Sequence, residues 1–473
     1  MKGLITIFCL IFFYAASAQK ARILSLQECV DIAIENNLSV KRSQLNLESN
    51  RINLLQAQGA RLPDANVGGS YGLNFGRSIN PTTNEFINQE IEFSGFNGST
   101  NVTLFRGLSL TNSVRQSKAQ VESSEFDLEK AKNDISLNII NFYLNVIFNK
   151  ELVENARYQL QSSEEQLERT KKLVEIGSLP RTNELELISQ VASNEVNLVN
   201  AENNLDVALL NLKQAMLIPG SEQIDIIIPD IDIEGDELPA DNEEEVFEMA
   251  LDSQPEIKSA ESNLEAARYG VKSAQGNVSP TVSGRAGFST NYSDAFFRTI
   301  QSGTTTQEQT VIFQGQEAQI EFEQPNFIRE DVSFNDQLEQ NLSKSVSLNL
   351  SIPLFNGFNT HAQIQRAKIS LQQAEINRIE TRNTLRQQIE TAFNDARSAL
   401  KTFEASQKQV DALEETFRAV ENQYNFGAAN FTDYQVASNN LFGARSDLVR
   451  AKYDLIFKLK LLDFYMGNPL NFQ

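Results

Sequence analysis

The sequence holds one histidine (His361), two cysteines and only 11 prolines in 473 residues. So few histidines and cysteines exclude a zinc finger, a disulfide framework and a multi-histidine metal centre. A cysteine–histidine catalytic pair would have to be built from Cys29 and His361, and nothing around either residue resembles a nucleophile's pocket. Basic residues are also scarce: 41 against 62 acidic ones give a net charge of −21. That balance argues against a nucleic-acid partner, which would need a basic face. Beyond residue 18 no apolar run reaches the roughly 18 residues of a transmembrane helix. The composition is not that of a typical enzyme, and it offers no cofactor site.

What is present begins with an export signal. Lys2 precedes an apolar run from Leu4 to Ala16, and Ala16-Ser17-Ala18 forms a small-x-small cleavage site. Residues 1–18 are therefore expected to be a signal peptide. Cys9 lies inside the apolar run, where lipid attachment would leave an apolar stump. The mature chain is exported and is either soluble or embedded as β-structure.

The chain is also duplicated. At an offset of 250, Val114 pairs with Ile364, Ile139 with Ile389, Gly177 with Gly427, Leu205 with Leu455 and Met216 with Met466. At an offset of 217, Ala33 pairs with Ala250, Lys41 with Lys258, Gly59 with Gly276 and Pro63 with Pro280. Two long ungapped registers mark an internal repeat. Repeat one is placed at 19–220 and repeat two at 243–473, joined by an acidic linker, 221–242, with a short strand at Ile224–Ile228. The offsets differ because repeat two carries an insertion, Ser293–Ser343, read as an extracellular loop.

Each repeat reads as helix, strand, loop, strand, long helix, turn, helix. Leu108 to Ile176 contains no proline or glycine, which allows one helix of roughly 70 residues, about 100 Å long. In the equivalent helix Ile389, Phe393, Ala396, Leu400, Phe403, Val410, Leu413, Phe417, Val420 and Tyr424 follow a coiled-coil spacing. Gly177 and Gly427 stand where C-cap glycines end these helices, and shorter helices are expected near 26–60 and 183–217.

The strand pairs, about 63–106 in repeat one and about 280–292 with 344–355 in repeat two, have two unlike faces. Val67, Tyr71 and Leu73 alternate with Asn66, Ser70 and Asn74. Val346, Leu348 and Leu350 alternate with Ser347, Asn349 and Ser351. About ten residues of such alternation with terminal aromatics is the pattern of an outer-membrane strand, although a soluble sheet with one wet face alternates too. Open sheet edges cannot lie in lipid, and closed barrels need about eight strands or more. Four strands per chain therefore require an oligomer, and twelve strands from three chains leave a lumen where eight do not.

These residues together resemble the TolC family of outer-membrane efflux channels. The likeness covers essentially the whole mature chain. It rests on the duplicated units, on Leu-Phe-x-Gly where strand passes into long helix, and on the turns Gly177-Ser-Leu-Pro-Arg-Thr-Asn183 and Gly427-Ala-Ala-Asn-Phe-Thr-Asp433. The resemblance implies an α+β membrane protein, a homotrimer in which a long α-helical coiled-coil barrel continues into a twelve-stranded β-barrel in outer-membrane lipid. It implies a passive exit duct for a tripartite efflux or type I secretion system, with no catalytic residue, metal or cofactor. The partners would be a periplasmic adaptor (membrane fusion protein) and an inner-membrane pump. Asp433 matches an aspartate that lines the closed periplasmic entrance, while Val436 stands where the family has a second acid and Asn183 is the uncharged counterpart in repeat one. The position of Asp433 equally suits an N-cap of the returning helix. Gly177, Ser178, Leu179, Gly427, Ala428 and Ala429 are candidates for adaptor contact, or simply turn chemistry. The alternative to a channel is an exported coiled-coil spacer with a soluble sheet.

Overall fold

The computed structural model describes residues 22–79, 84–88, 90–229 and 238–468. The expected signal peptide (1–18) and part of the acidic linker lie outside them. In chain order the elements are β1 (Arg22–Leu24), α1 (Leu26–Asn36), α2 (Leu38–Gly59), β2 (Asp64–Asn74), β3 (Arg77–Ile79), β4 (Phe86–Asn88), β5 (Ile91–Arg106), α3 (Ser109–Glu175) and α4 (Arg181–Ala215). There follow β6 (Ile224–Ile226), α5 (Glu243–Ser253), α6 (Pro255–Gly276), β7 (Thr281–Ser293), β8 (Phe297–Phe313), β9 (Gln316–Asp331), α7 (Phe334–Gln340), β10 (Ser343–Ser351), α8 (Asn359–Asn425) and α9 (Phe431–Tyr465). Two units emerge. One comprises the described parts of Met1–Arg51, Ala119–Glu265 and Gln372–Gln473; the other comprises Ile52–Lys118 and Ala266–Leu371.

The first unit is helical. Its start is set by a capping box, in which the Ser25 side chain accepts from the Glu28 backbone N–H and Glu28 returns to the Ser25 N–H at 2.8 Å. The helix expected near 26–60 is broken once. Asn37 ends α1 in an extended conformation, and its side chain then accepts from Ser39 N at 2.7 Å to begin α2. In repeat two the same break falls at Gln254–Pro255, where proline opens α6.

α3 and α8 each run 67 residues. Ile139 and Ile389, 250 apart, are both fully buried, in separate clusters. The first cluster packs α3 on α1, α4 and a two-stranded parallel ribbon of β1 and β6. Tyr143 is a polar member of that core, donating its hydroxyl proton to Ile227 O at 2.5 Å. The second cluster packs Ile389, Phe393 and Ala396 of α8 on Val246, Phe247 and Ala250 of α5 and Leu462 of α9. Along the α8 seam Ile389, Phe393, Ala396, Val410 and Tyr424 are buried and the others half-buried.

The second unit is built on one antiparallel sheet, ordered β10-β7-β5-β2. β2 pairs with β5 from Asp64↔Asn101 to Asn74↔Ile91, and β7 joins β5 to β10. The register of β5 on β7 slips between Thr103 and Phe105, so Leu104 has no partner in the ladder, although its side chain stays on the apolar face beside Val102, over Gly284. Glycine serves packing at one point here: a Cβ at Gly98 would lie 2.3 Å from the Phe288 ring, which covers that position from the neighbouring strand.

The insertion Ser293–Ser343 corrects the expectation of a loop. It forms a long hairpin, β8 on β9, paired from Phe297↔Asp331 to Phe313↔Gln316, followed by the short helix α7. The turn residues Gln314 and Gly315 both have positive φ (52° and 79°), the handedness that matches strand twist in a two-residue hairpin. Gln337, 1% exposed, fixes the root: its amide donates to Ser293 O and Val332 O, and its carbonyl accepts from Ser293 N.

Candidate functional site: a two-faced wall and two helical turns

No helix among the described residues is long and apolar enough to cross a membrane. The sheet offers a different solution. One face aligns Ala65, Thr100, Ala286 and Val346 in one row and Gly284 with Leu348 in the next, and Val67, Val346 and Leu348 stay 84%, 87% and 73% exposed. From Val282 to Tyr292 this face covers about 34 Å of β7. At a strand tilt of about 40° that projects to about 26 Å, close to the ~25 Å apolar band of an outer-membrane barrel. Aromatic side chains mark both ends: Tyr71, Phe75 and Tyr292 at one, Phe355 and Phe358 (ring centroids 5.5 Å apart) at the other. The opposite face carries Asn66, Asn97, Ser99, Ser289, Ser345 and Asn349. Sequence alternation located both faces because a strand with unlike surroundings must alternate.

The two turns lie in the helical unit. α3 ends at Gly177 (φ 73°), with Gly177 N bonded to Val174 O at 2.9 Å and Ser178 N to Leu173 O at 2.8 Å. α8 ends in the same way at Gly427 (φ 74°), with Gly427 N to Tyr424 O at 3.0 Å and Ala428 N to Gln423 O at 2.7 Å. Both are Schellman caps, which need a left-handed residue at that place. The next helices begin at Arg181 and Phe431, earlier than expected, so Asn183 and Asp433 lie within the first turn of helix.

That shift moves the N-cap from Asp433, where it was one of two open readings, to Asn430. Asn430 is the N-cap of α9, its side chain accepting from Asp433 N at 2.9 Å, while Asp433 reaches back to Asn430 N at 3.4 Å. Asp433 is thus the third-position acid of a capping box, and its carboxylate is exposed. Pro180 caps α4 without a side-chain bond, so the two turns differ. Gly177, Ser178, Gly427 and Ala428 are exposed; Leu179 and Ala429 are half-buried, and Ala429 packs against an aromatic cluster of Tyr424, Phe431 and Tyr434.

Sequence reading passed over Ile176 and Phe426, which stand one residue before each turn glycine and are 76% and 88% exposed. Their signal was available as an apolar side chain at the same place in both repeats. Behind the turns, Tyr424 and Tyr434 stack at 5.2 Å. Burial pushes the Tyr434 hydroxyl up to about 12, so it is held neutral. A polar chain runs from Gln435 to Gln190, on to Asn194 at 3.0 Å and then to Ser163 at 3.0 Å, which ties α9 to α4 and α3. Cys29 is fully buried, and desolvation pushes its thiol up to about 12, the opposite of an activated nucleophile. Among the described residues no group of His, Cys, Asp and Glu could hold a metal ion.

Comparison with known proteins agrees with this geometry. The family described as "outer membrane efflux protein" matches residues 29–216 and 246–468. The outer membrane efflux protein BepC of Brucella suis biovar 1 (strain 1330) is 22% identical over 429 residues, spanning 90% of this chain and 81% of that protein. The outer membrane protein TolC of Escherichia coli (strain K12) is 22% identical over 71% of this chain and 60% of its own length. The solved structure of the outer membrane protein VceC from Vibrio cholerae superposes with a TM-score of 0.71 at 16% identity, covering 94% of this chain and 97% of that one. The fold is therefore that of the TolC-like channels, and its place is the outer membrane. The chain belongs to the outer membrane efflux protein family, whose members are export channels.

Proposed function

We propose that three copies of this chain close one barrel of twelve strands and together form a passive exit duct for efflux or type I secretion. The observation that carries the reading is the open four-stranded sheet with one apolar and one polar face. Its outer strands, β2 and β10, present backbone donors and acceptors that lipid cannot satisfy, so the sheet must continue into copies of itself. Each repeat, 19–220 and 243–473, gives two strands to the wall and one helical turn to the periplasmic end, with 221–242 as the linker.

Energy comes from an inner-membrane pump, and a periplasmic adaptor docks on the exposed residues Gly177, Ser178, Gly427 and Ala428 beside the half-buried Leu179 and Ala429. Exposed Ile176 and Phe426 supply apolar area next to them. Asp433 combines two roles, capping α9 and placing a carboxylate near the symmetry axis at the entrance. The test is native mass after detergent extraction from the outer membrane. With a chain of 53.0 kDa before signal removal, a trimer is expected near roughly 150 kDa after subtracting detergent. A folded monomer, or release by carbonate without detergent, would refute barrel closure.

A further inference from the structure

The polar face of the sheet is almost free of charge over most of its height. On β2 from Asn66 to Asn74, and on β7 from Gly287 to Ser293, every position on that face is Asn, Ser or Gly. Charge gathers at the foot, where β2 and β7 begin and β5 and β10 end. One row there holds Asp64, Asn101, Arg285 and Ser347; nearer the end, Arg106 of β5 pairs with Thr281 of β7. All three charged side chains are exposed. The short Asp64 carboxylate is held against the wall, accepting from Asn101 N at 2.6 Å. Among the described residues neither Arg285 nor Arg106 has an ion-pair partner, and the longer side chains carry their charge further from the backbone.

We infer that Arg285 and Arg106 form an electropositive collar at the foot of the channel wall, which favours anions and engages the anionic groups, carboxylate or phosphate, of cargo in transit. The inference rests on the reading above, in which the polar face lines the lumen. Threefold repetition then sets two guanidinium groups per chain against one carboxylate. The sign is informative because the chain as a whole is acidic, with a net charge of −21, so the collar opposes the general field of the protein. Low-dielectric walls focus such a field, and at about 0.1 M salt the screening length of about 10 Å does not extinguish it. Guanidinium suits the task because it stays charged and offers a planar fork to oxyanions.

The test is the reversal potential of the full-length protein in planar bilayers under a KCl gradient near 0.1 M. The double variant R285Q/R106Q should lower the chloride-to-potassium permeability ratio by roughly threefold. D64N should raise it, R285K/R106K should retain it, and near 1 M salt the differences should vanish. The single variant R285Q carries the same sign and serves if the double variant fails to assemble at native mass. A conducting channel whose selectivity is indifferent to all of these overturns the collar alone. A folded monomer by native mass, with no shared barrel, overturns the lumen reading, and the collar with it.

Discussion

Tyr143 and Phe393 occupy the same place in the two repeats, 250 residues apart, and both are buried, 1% and 3% exposed. Their clusters differ, and only Tyr143 has a hydroxyl partner, in the β1–β6 ribbon. Tyr143 donates to Ile227 O at 2.5 Å and reaches Leu24 O at 3.3 Å, which pins α3 to the β1–β6 ribbon. Replacing Tyr143 by Phe keeps the ring but takes one donor from the part-buried Ile227 carbonyl, while Leu24 O keeps its bond from Ile227 N at 3.1 Å, a net loss of about 0.5–1.5 kcal/mol. Since 1.4 kcal/mol is about tenfold in an equilibrium constant, protection of the ribbon amides against hydrogen exchange should fall by roughly 2- to 10-fold. The reverse swap, Phe393→Tyr, places a hydroxyl in an apolar cluster of Val246, Ala250 and Ile389, and a larger loss of about 1–3 kcal/mol is expected there. Hydrogen exchange followed by mass spectrometry on the detergent-solubilised protein reads both effects locally. A Tyr143→Phe variant with unchanged ribbon protection would show that the hydroxyl is satisfied equally well by water when unfolded. The reasoning from buried partners would then fail.

Removing the N-cap with Asn430→Ala should loosen the first turn of α9 by about 1 kcal/mol, read as faster amide exchange after residue 430. Asp433→Asn keeps a side chain able to bond but removes the charge, so a change in conductance without faster exchange separates the entrance role from capping. Gly427→Ala forces a side chain into a left-handed conformation (φ 74°), at a cost of about 1–2 kcal/mol, seen as easier proteolysis at that turn. Burial raises the ionisation of Cys29, Tyr434 and Tyr453 to about 12, and that of Tyr143 further. Groups whose proton is held more tightly when folded stabilise the protein below their ordinary values, 9.0 for the thiol and 10.0 for the phenols. That contribution disappears as pH climbs through the folded values. Thermal melts should therefore be flat to about pH 8.5 and fall steeply towards pH 12, with a smaller fall in Tyr434→Phe; a melt unchanged over that range would refute it.

Much of the fold was legible because repetition doubles every signal. The glycine that ends α3 has a partner 250 residues on, and both adopt φ near 73°. The seam of α8 could be read residue by residue, since its apolar spacing answers to burial within one chain. The candidate site was less legible. The N-cap role open to Asp433 as the alternative to an entrance role falls three residues late, because an acid in the first helical turn and an acid at the cap leave the same mark in composition. Only the bond from Asp433 N to Asn430 Oδ1 separates them.

The insertion shows where alternation stops being informative. β8 and β9 pair over their whole length, yet the segment Thr304-Thr305-Thr306-Gln307-Glu308-Gln309 has polar residues on both faces. Alternation records a difference between the media on the two sides of a strand, not the strand itself. In β2, β7, the Phe96–Thr103 part of β5 and the Val346–Ser351 part of β10 one face is apolar and the other polar, so period two is written into the residues. In β8 both faces are largely exposed, so nothing requires the pattern, and pairing is set instead by the turn at Gln314–Gly315 and the anchor at Gln337. Those are single residues without a period. The same reasoning explains why the oligomer had to be inferred from edges: an unpaired strand edge is a backbone property, and side-chain sequence carries it only through the two faces it separates.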